Sequence, residues 1–269
     1  MLQKHNPIPR EEEIQFEEQG HRYFVRGQPV PVSVTELGKR AVPREHQFNP
    51  EKIVKKNLRS WRANASSKYH QLVADVNDEQ ALANVQELWN SNRDSGTGLH
   101  KCIEEMLNGE PVDRAEDYSV ELTQFRAALE GMRREGVVPA RTELSIFVED
   151  AQGKPVVAGQ IDLLVKDEDG DYHIVDFKRT ANDLRPFASS FGKRFLDDKP
   201  LNDHHKYSLQ LSLYSVMFEL QTGKRIHACR LLQLHPEFET YRWVDATDLR
   251  QEARMLLTSV GVVFPGGGM

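Results

Sequence analysis

The chain has 269 residues, 39% of them hydrophobic, with 35 Lys and Arg against 41 Asp and Glu for a formal net charge of −6. That is enough apolar material for one domain of moderate size, and too acidic a balance for a protein coated in positive charge for nucleic acid, although basic residues confined to one groove are compatible with it. The two cysteines, Cys102 and Cys229, make no disulfide framework, no apolar run reaches the roughly 18 residues of a membrane span, and the polar start MLQKHNPIPREEE lacks the core of a signal peptide, so an intracellular, cytoplasmic protein with no membrane contact is expected.

In chain order, residues 1–13 read as loose. Ile14 to Val34 carries short apolar runs broken at Arg26-Gly27, a hairpin pattern; Tyr23 within it suits a core aromatic better than a base-stacking one. Ser33-Val-Thr-Glu36 is a capping box that starts a short helix. Residues 44–95 read as helical, with Lys52, Lys55, Lys56 and Arg59 at i, i+3, i+4 and i+7 on one face beside Trp61. Such a face suits a single-strand channel, where phosphates meet charge and bases stack; it equally suits a solvated helix that Trp61 anchors to a core. Another helix starts at Asn77-Asp78-Glu79 and is expected to end near Ser95-Gly96. A further one runs from Gly98 to Leu107 with Leu99, Ile103 and Met106 inward. On it His100 and Glu104 stand at i, i+4, so Glu104 either fixes the tautomer of His100, as acids behind metal-ligating histidines do, or is a plain surface acid. Cys102 there reads as a small buried side chain.

Residues 118–135 form an amphipathic helix that Gly136 ends. Three strands follow: Thr142 to Val148 with Glu143, Val156 to Val165 with Asp162, and Tyr172 to Phe177 with Asp176 and Lys178 flanking Phe177. The last two are joined by the acidic turn DEDGD, a hairpin signal. Alternation puts Asp176 and Lys178 on one face, and the hairpin brings Asp162 beside Asp176. Two carboxylates converging at a strand end make an oxygen-ligand site for Mg²⁺ or Mn²⁺. An adjacent ammonium orients or deprotonates a water, or stabilises a pentacovalent phosphate. The plain alternative is a surface hairpin with scattered charges, and Glu143 either joins the site through a water or faces solvent. Residues 180–202 read as a polar loop whose cations, Arg179, Arg185, Lys193 and Arg194, either grip a DNA backbone or are solvated. From Asp203 to Leu220 a helix turns Leu209, Leu213, Val216 and Leu220 inward, with Gln210 and Tyr214 on the adjacent face that Tyr207 shares. Two closing strands, Ile226 to Leu234 and Glu239 to Val244, and a last helix, Thr247 to Ser259, complete the order.

The set Asp162, Asp176-Phe177-Lys178 resembles the signature of the PD-(D/E)XK nuclease superfamily, with Gly159 ahead of the first Asp as in RecB-like members. Gly96-Thr-Gly-Leu-His100 resembles its upstream glycine–histidine motif, Glu143 stands where the family often has an acid, and Gln210-Leu-Ser-Leu-Tyr214 resembles its QxxxY motif. The motifs span residues 96–214 in the family's order. The stretch His21 to Thr35 resembles the start of phage- and virus-type exonucleases, relatives of the mitochondrial genome maintenance exonuclease. The resemblance implies an α/β, restriction-endonuclease-like core with a mixed central β-sheet flanked by helices and a helical N-terminal embellishment. It implies one nuclease domain over residues 1–269, with an N-terminal part to 95 and a catalytic core over 96–260. It implies an Mg²⁺- or Mn²⁺-dependent DNA exonuclease acting on single strands or duplex ends. Asp162, Asp176, His100 and the Phe177 carbonyl are then the metal ligands, Lys178 positions the attacking water, and Glu143, Gln210 and Tyr214 complete the catalytic set. Lys52, Lys55, Lys56, Arg59, Trp61, Arg179 and Arg185 are the expected DNA contacts. Some relatives hold an iron–sulfur cluster, for which two cysteines are too few. The rival expectations are a sequence- or structure-specific endonuclease of a defence system and a non-catalytic DNA-end-binding scaffold.

Overall fold

A computed structural model describes residues 2–186 and 202–265. The chain divides into two units, one of Met1–Pro43 with His100–Met269 and one of Arg44–Leu99. After the short helix α1 (Leu2–His5), strands β1 (Ile14–Glu17), β2 (Arg22–Val25) and β3 (Gln28–Pro29) form an antiparallel meander. Its second turn is the expected one at Arg26-Gly27, where φ is 51° and 76°. That pair of left-handed residues makes a two-residue turn whose twist matches the strands. Strand β4 (Val32–Ser33) leads into α2 (Val34–Lys39), where the Ser33 hydroxyl accepts the Glu36 N–H at 3.1 Å, as the capping pattern predicts.

The smaller unit holds α3 (Pro50–Ala63), α4 (His70–Val73) and the first part of α5 (Asp78–Asn108). Asn49 caps α3 through the Lys52 N–H, and Asn77 receives the Gln80 N–H at the start of α5. The expected break at Ser95-Gly96 does not occur: α5 runs through Gly96 and Gly98 to Asn108. Glycine costs only about 1 kcal/mol inside a helix, and Leu99, Cys102 and Ile103, all buried, more than offset it.

The larger unit continues with α6 (Ser119–Arg134), the long strands β5 (Val138–Glu149) and β6 (Pro155–Lys166), and β7 (Tyr172–Lys178). Then come α7 (Asp203–Thr222), β8 (Ile226–Gln233), β9 (Arg242–Asp245) and α8 (Arg250–Thr258). The sheet runs β4-β6-β7-β8-β9 with β5 on the other edge of β6, parallel at β4/β6 and β7/β8 and antiparallel elsewhere. Helices α2, α7 and α8 cover one face through a core that includes Val34, Leu37, Leu209, Leu213, Val216 and Leu256. On the other face Phe125 of α6 meets Phe177 edge-on, ring centroids 5.5 Å apart. This is the mixed α/β sheet with flanking helices that the sequence implied.

An irregularity in β6 and one in β5 prepare the site. One edge of the strand pairs with β5 along its length. The other pairs with β4 only at Val157 and Ala158, and with β7 only from Leu163 to Lys166. Residues 159–162 therefore border a gap between β4 and β7. Opposite that gap β5 is also irregular. Glu143 lies between the paired residues Thr142 and Leu144 with φ at 47°, a left-handed backbone inside a strand. Such strain costs roughly 1–3 kcal/mol and collects where function needs it. Side chains bond the backbone on both strands here: Gln160 Nε2 donates to Glu143 O at 3.1 Å and Thr142 Oγ1 to Asp162 O at 3.1 Å.

Candidate active site

Asp162 sits at the end of the gap. Past the pair Leu163–Val175 strands β6 and β7 part, and the Phe177 N–H, with no strand partner on that side, donates to Asp162 Oδ2 at 2.9 Å. His100, on the C-terminal half of α5, turns its ring to the same place. Its Nε2 lies 3.1 Å from the Phe177 carbonyl and its Nδ1 3.5 Å from Asp162 Oδ2. Glu143, with its left-handed backbone, brings a third donor, and one ligand atom from each of His100, Glu143 and Asp162 falls within 4.8 Å of the others. Glu143 Oε1 is buried and has no hydrogen-bond partner. Burial, followed by the charges of Asp162, Glu104 and Asp176, pushes the Glu143 carboxyl up to about 9. An orphaned buried carboxylate oxygen is costly, and a cation placed among these donors removes the cost. The donor set, carboxylate oxygens with a single imidazole, fits a hard or borderline divalent ion of the Mg²⁺ or Mn²⁺ kind.

Asp176 and Lys178 share one face of β7, where Lys178 meets Tyr207 of α7. The Lys178 ammonium forms an ion pair with Asp176 Oδ2; Asp176 is buried and the Lys178 side chain is 16% exposed. Burial pushes the Asp176 carboxyl up to about 6, against the pull of Lys178. For Lys178 burial acts downward, but the carboxylates of Asp176 and Asp162 overcome it and hold the ammonium above its ordinary range. Its Nζ also lies 4.5 Å from the centre of the Tyr207 ring, a cation–π contact.

The expected helix is α7, and Gln210 and Tyr214 are on it, joined to each other by Gln210 Nε2 donating to Tyr214 Oη at 3.2 Å. Among the described residues no hydrogen bond joins either to Lys178, which Tyr207 covers instead. Gly159 has a steric reason. A Cβ there would lie 2.7 Å from Cε1 of Tyr214 and 2.7 Å from a methyl of Val34. The glycine thus lets the Tyr214 ring lie against β6 beside the gap.

The sequence model of the PD-(D/E)XK nuclease superfamily matches residues 62–257. The chain belongs to that superfamily. No curated protein matches it. A solved structure, that of SSO0001, aligns over 85% of this chain and 75% of that one at 13% identity, with a TM-score of 0.32, a likeness too weak to argue from.

Other expected residues of this nuclease are placed differently. Glu104 does not hold His100, whose ring nitrogens face Phe177 and Asp162; it lines a polar cavity of about 340 Å³ with Glu110, Arg141, Glu143 and Ser145. Arg179, expected to contact DNA, is turned to the opposite side of β7 from Lys178 and held by the buried Glu121 of α6 at 2.8 Å. Arg185 is engaged by Asp183, two residues before it. Both are therefore partnered side chains, the first a tie between β7 and α6. Lys193 and Arg194 lie outside the described residues. In the smaller unit Lys52, Lys55, Lys56 and Arg59 are exposed on α3, whereas the Trp61 ring is packed on Tyr69 with centroids 4.2 Å apart. Two further residues belong near the site. Tyr23, buried as expected, has its hydroxyl pushed up by burial and then by the charges of Glu143 and Asp162. Tyr207 was visible only as a residue sharing a helix face with Gln210. Among the described residues no helix is long and apolar enough to cross a membrane.

Proposed function

We propose that this nuclease is a divalent-metal-dependent DNA exonuclease of the RecB-like type, related to the phage-viral and mitochondrial maintenance enzymes and acting on DNA ends or single strands during processing, repair or recombination. The observation that carries the proposal is the convergence of His100, Glu143 with its partnerless Oε1, and Asp162 at the gap in β6, next to the Asp176–Lys178 pair.

His100, Glu143 and Asp162 would hold the ion, with Asp176 and the Phe177 carbonyl at its margin; Mg²⁺ or Mn²⁺ is the expected occupant. Such an ion, when bound, polarises the scissile phosphate and supports the leaving oxygen. The protein's own contribution is charge held in place. The Lys178 ammonium is fixed between Asp176 and the Tyr207 ring, so it presents its positive charge to the phosphate as negative charge builds there. An ammonium so firmly paired orients a water and neutralises charge; it does not take up a proton. Asp162 acts twice, as a ligand and, by accepting the Phe177 N–H, as the tie between β6 and β7 where their ladder has ended.

Digestion of end-labelled linear DNA and of covalently closed circular DNA, each single- and double-stranded, tests the reading. Loss of linear substrate with Mg²⁺ or Mn²⁺, none with EDTA, and intact circles are expected. Cleavage of circles would instead favour the endonuclease alternative, and binding without any cleavage the scaffold.

A further inference from the structure

The smaller unit has a feature that the catalytic reading does not use. Four aromatic residues adjoin one another there. Trp61 lies on Tyr69, with centroids 4.2 Å apart and planes 32° apart; Tyr69 meets Trp89 edge-on at 6.2 Å; and Trp89 meets Phe48 at 5.3 Å. Trp89 Nε1 also donates to the Tyr69 hydroxyl at 3.1 Å. Three of the four are partly buried in the unit's own core around Val54, Leu58 and Val85. Phe48 is not: it is 68% exposed, the most exposed of the large hydrophobic side chains described. A phenylalanine left in water at the end of a partly buried aromatic row costs the free protein apolar burial it could have had.

The charge beside it is also unusual for this chain. Helix α3 carries five cations and one acid in its 14 residues, in a protein of net charge −6. Arg62 is taken up by Asp78 and by the carbonyls of Val73 and Val76. Lys55, Lys56 and Arg59 are exposed and have no ion pair or hydrogen bond among the described residues. Lys55 and Arg59 line an open groove of about 470 Å³ with Leu58, Arg62, Ala63 and Asp78. Lys52 reaches back from the first turn to the Glu45 carbonyl at 3.3 Å, so the cationic face begins at the end of α3 where Phe48 stands.

From this we infer that the Arg44–Leu99 unit is a grip for single-stranded DNA, in which Phe48, rather than Trp61, is the aromatic on which a base stacks and Lys55, Lys56 and Arg59 take the adjoining phosphates. An exposed ring suits an unpaired base, whose face is free, and not a duplex, whose base faces are covered; the cations fit a phosphate backbone and would repel a basic peptide. The inference rests on the nuclease reading only for the choice of DNA over other polyanions.

Binding of a fluorescent oligothymidylate and of a blunt duplex to the full chain, in EDTA so that nothing is cut, tests it. Phe48→Leu keeps apolar bulk and removes the π face. It is expected to weaken single-strand binding about tenfold, within the range for one stacked base, with the salt slope and the duplex affinity unchanged; Phe48→Tyr should bind as the natural protein does. Replacing Lys55, Lys56 and Arg59 together by Ala should flatten the slope by about 2, at roughly 0.7 per phosphate contact. Wild-type single-strand affinity in Phe48→Leu, or an equal loss on the duplex, overturns the stacking role; an unchanged slope in the triple variant overturns the phosphate role. A chain that binds in this way yet fails to cut with metal would sink the catalytic reading and leave the grip standing. One that cuts with Phe48→Leu binding normally sinks the grip alone.

Discussion

At its turn the β6–β7 hairpin places Asp167, Asp171 and His173 near His227 of β8; at its open end it places Asp162, Asp176 and Lys178 near His100 and Glu143. The two ends use the same residue types. At the turn every group is matched and wet. His173 Nε2 lies 2.9 Å from Asp167 Oδ2, Asp167 Oδ1 takes the Asp171 N–H at 2.8 Å, and His227 lies 3.2 Å from Asp171. Asp167 is held below its ordinary range, first by the His173 hydrogen bond. At the open end the acids are buried and pushed upward, Glu143 to about 9 and Asp176 to about 6, and Glu143 Oε1 has no hydrogen-bond partner. Carboxylates and imidazoles become a site where burial outruns their partners; where water and hydrogen bonds satisfy them, they finish a turn.

Substitutions at the two ends should differ most. Asp162→Asn and Lys178→Gln are expected to lower cleavage of labelled DNA by about 10³-fold, the upper range for removing one positioned charge, and Lys178→Gln should still bind Mn²⁺ by calorimetry. Asp171→Asn and His173→Ala should leave the rate within about twofold, since surface ion pairs contribute little. Equal losses at both ends would mean that the division drawn above is wrong.

The next effect is on metal choice. His100→Ala removes the one nitrogen donor, and imidazole suits Mn²⁺ better than Mg²⁺. A loss of Mn²⁺ affinity of about tenfold or more is expected, with Mg²⁺ affinity less changed and the metal-free melting temperature little moved. The ring is 26% exposed, so the core should tolerate its removal. A large fall in the metal-free melting temperature would make His100 a structural residue.

Smaller again is Gly159→Ala. The new methyl would press on the Tyr214 ring and on Val34, and overpacking of this kind costs about 1–3 kcal/mol, to be read as a shift in the denaturant midpoint. Ala at this position with unchanged stability would show that the ring has room to move.

What the sequence made legible follows from period and register. Alternation put Asp176 and Lys178 on one face of β7, and the turn chemistry placed the hairpin that brings Asp162 alongside. The spacing of Leu209, Leu213 and Val216 set the buried side of α7. What stayed hidden depended on partners distant in sequence. Arg179 looks like any loop cation until Glu121, 58 positions away, takes it into the interior. Gly96 reads as a helix stop, yet buried neighbours carry the helix through it. The left-handed residue in β5, Glu143, is not a glycine, so no residue type announces it.

That last point can be tested where the expected effect is smallest. Glu143 adopts a left-handed backbone at φ 47°, which costs an L residue roughly 1–2 kcal/mol. Its carbonyl accepts a hydrogen bond from Gln160 Nε2, a bond worth about 1 kcal/mol. In Gln160→Leu that carbonyl has no such donor, and the strained and regular backbones come close in free energy. Relaxation to a regular ladder would swing the Glu143 carboxylate away from His100 and Asp162. The expected result is a loss of Mn²⁺ affinity of a few-fold, with the metal-free melting temperature unchanged or slightly raised, since relief of strain offsets the lost bond. Glu143→Gly should undo the coupling. Glycine adopts this backbone freely, so adding Gln160→Leu to Glu143→Gly should cost no further metal affinity. If Gln160→Leu lowers stability and leaves metal affinity untouched, the amide is an ordinary strand contact and Glu143 is aimed by something else.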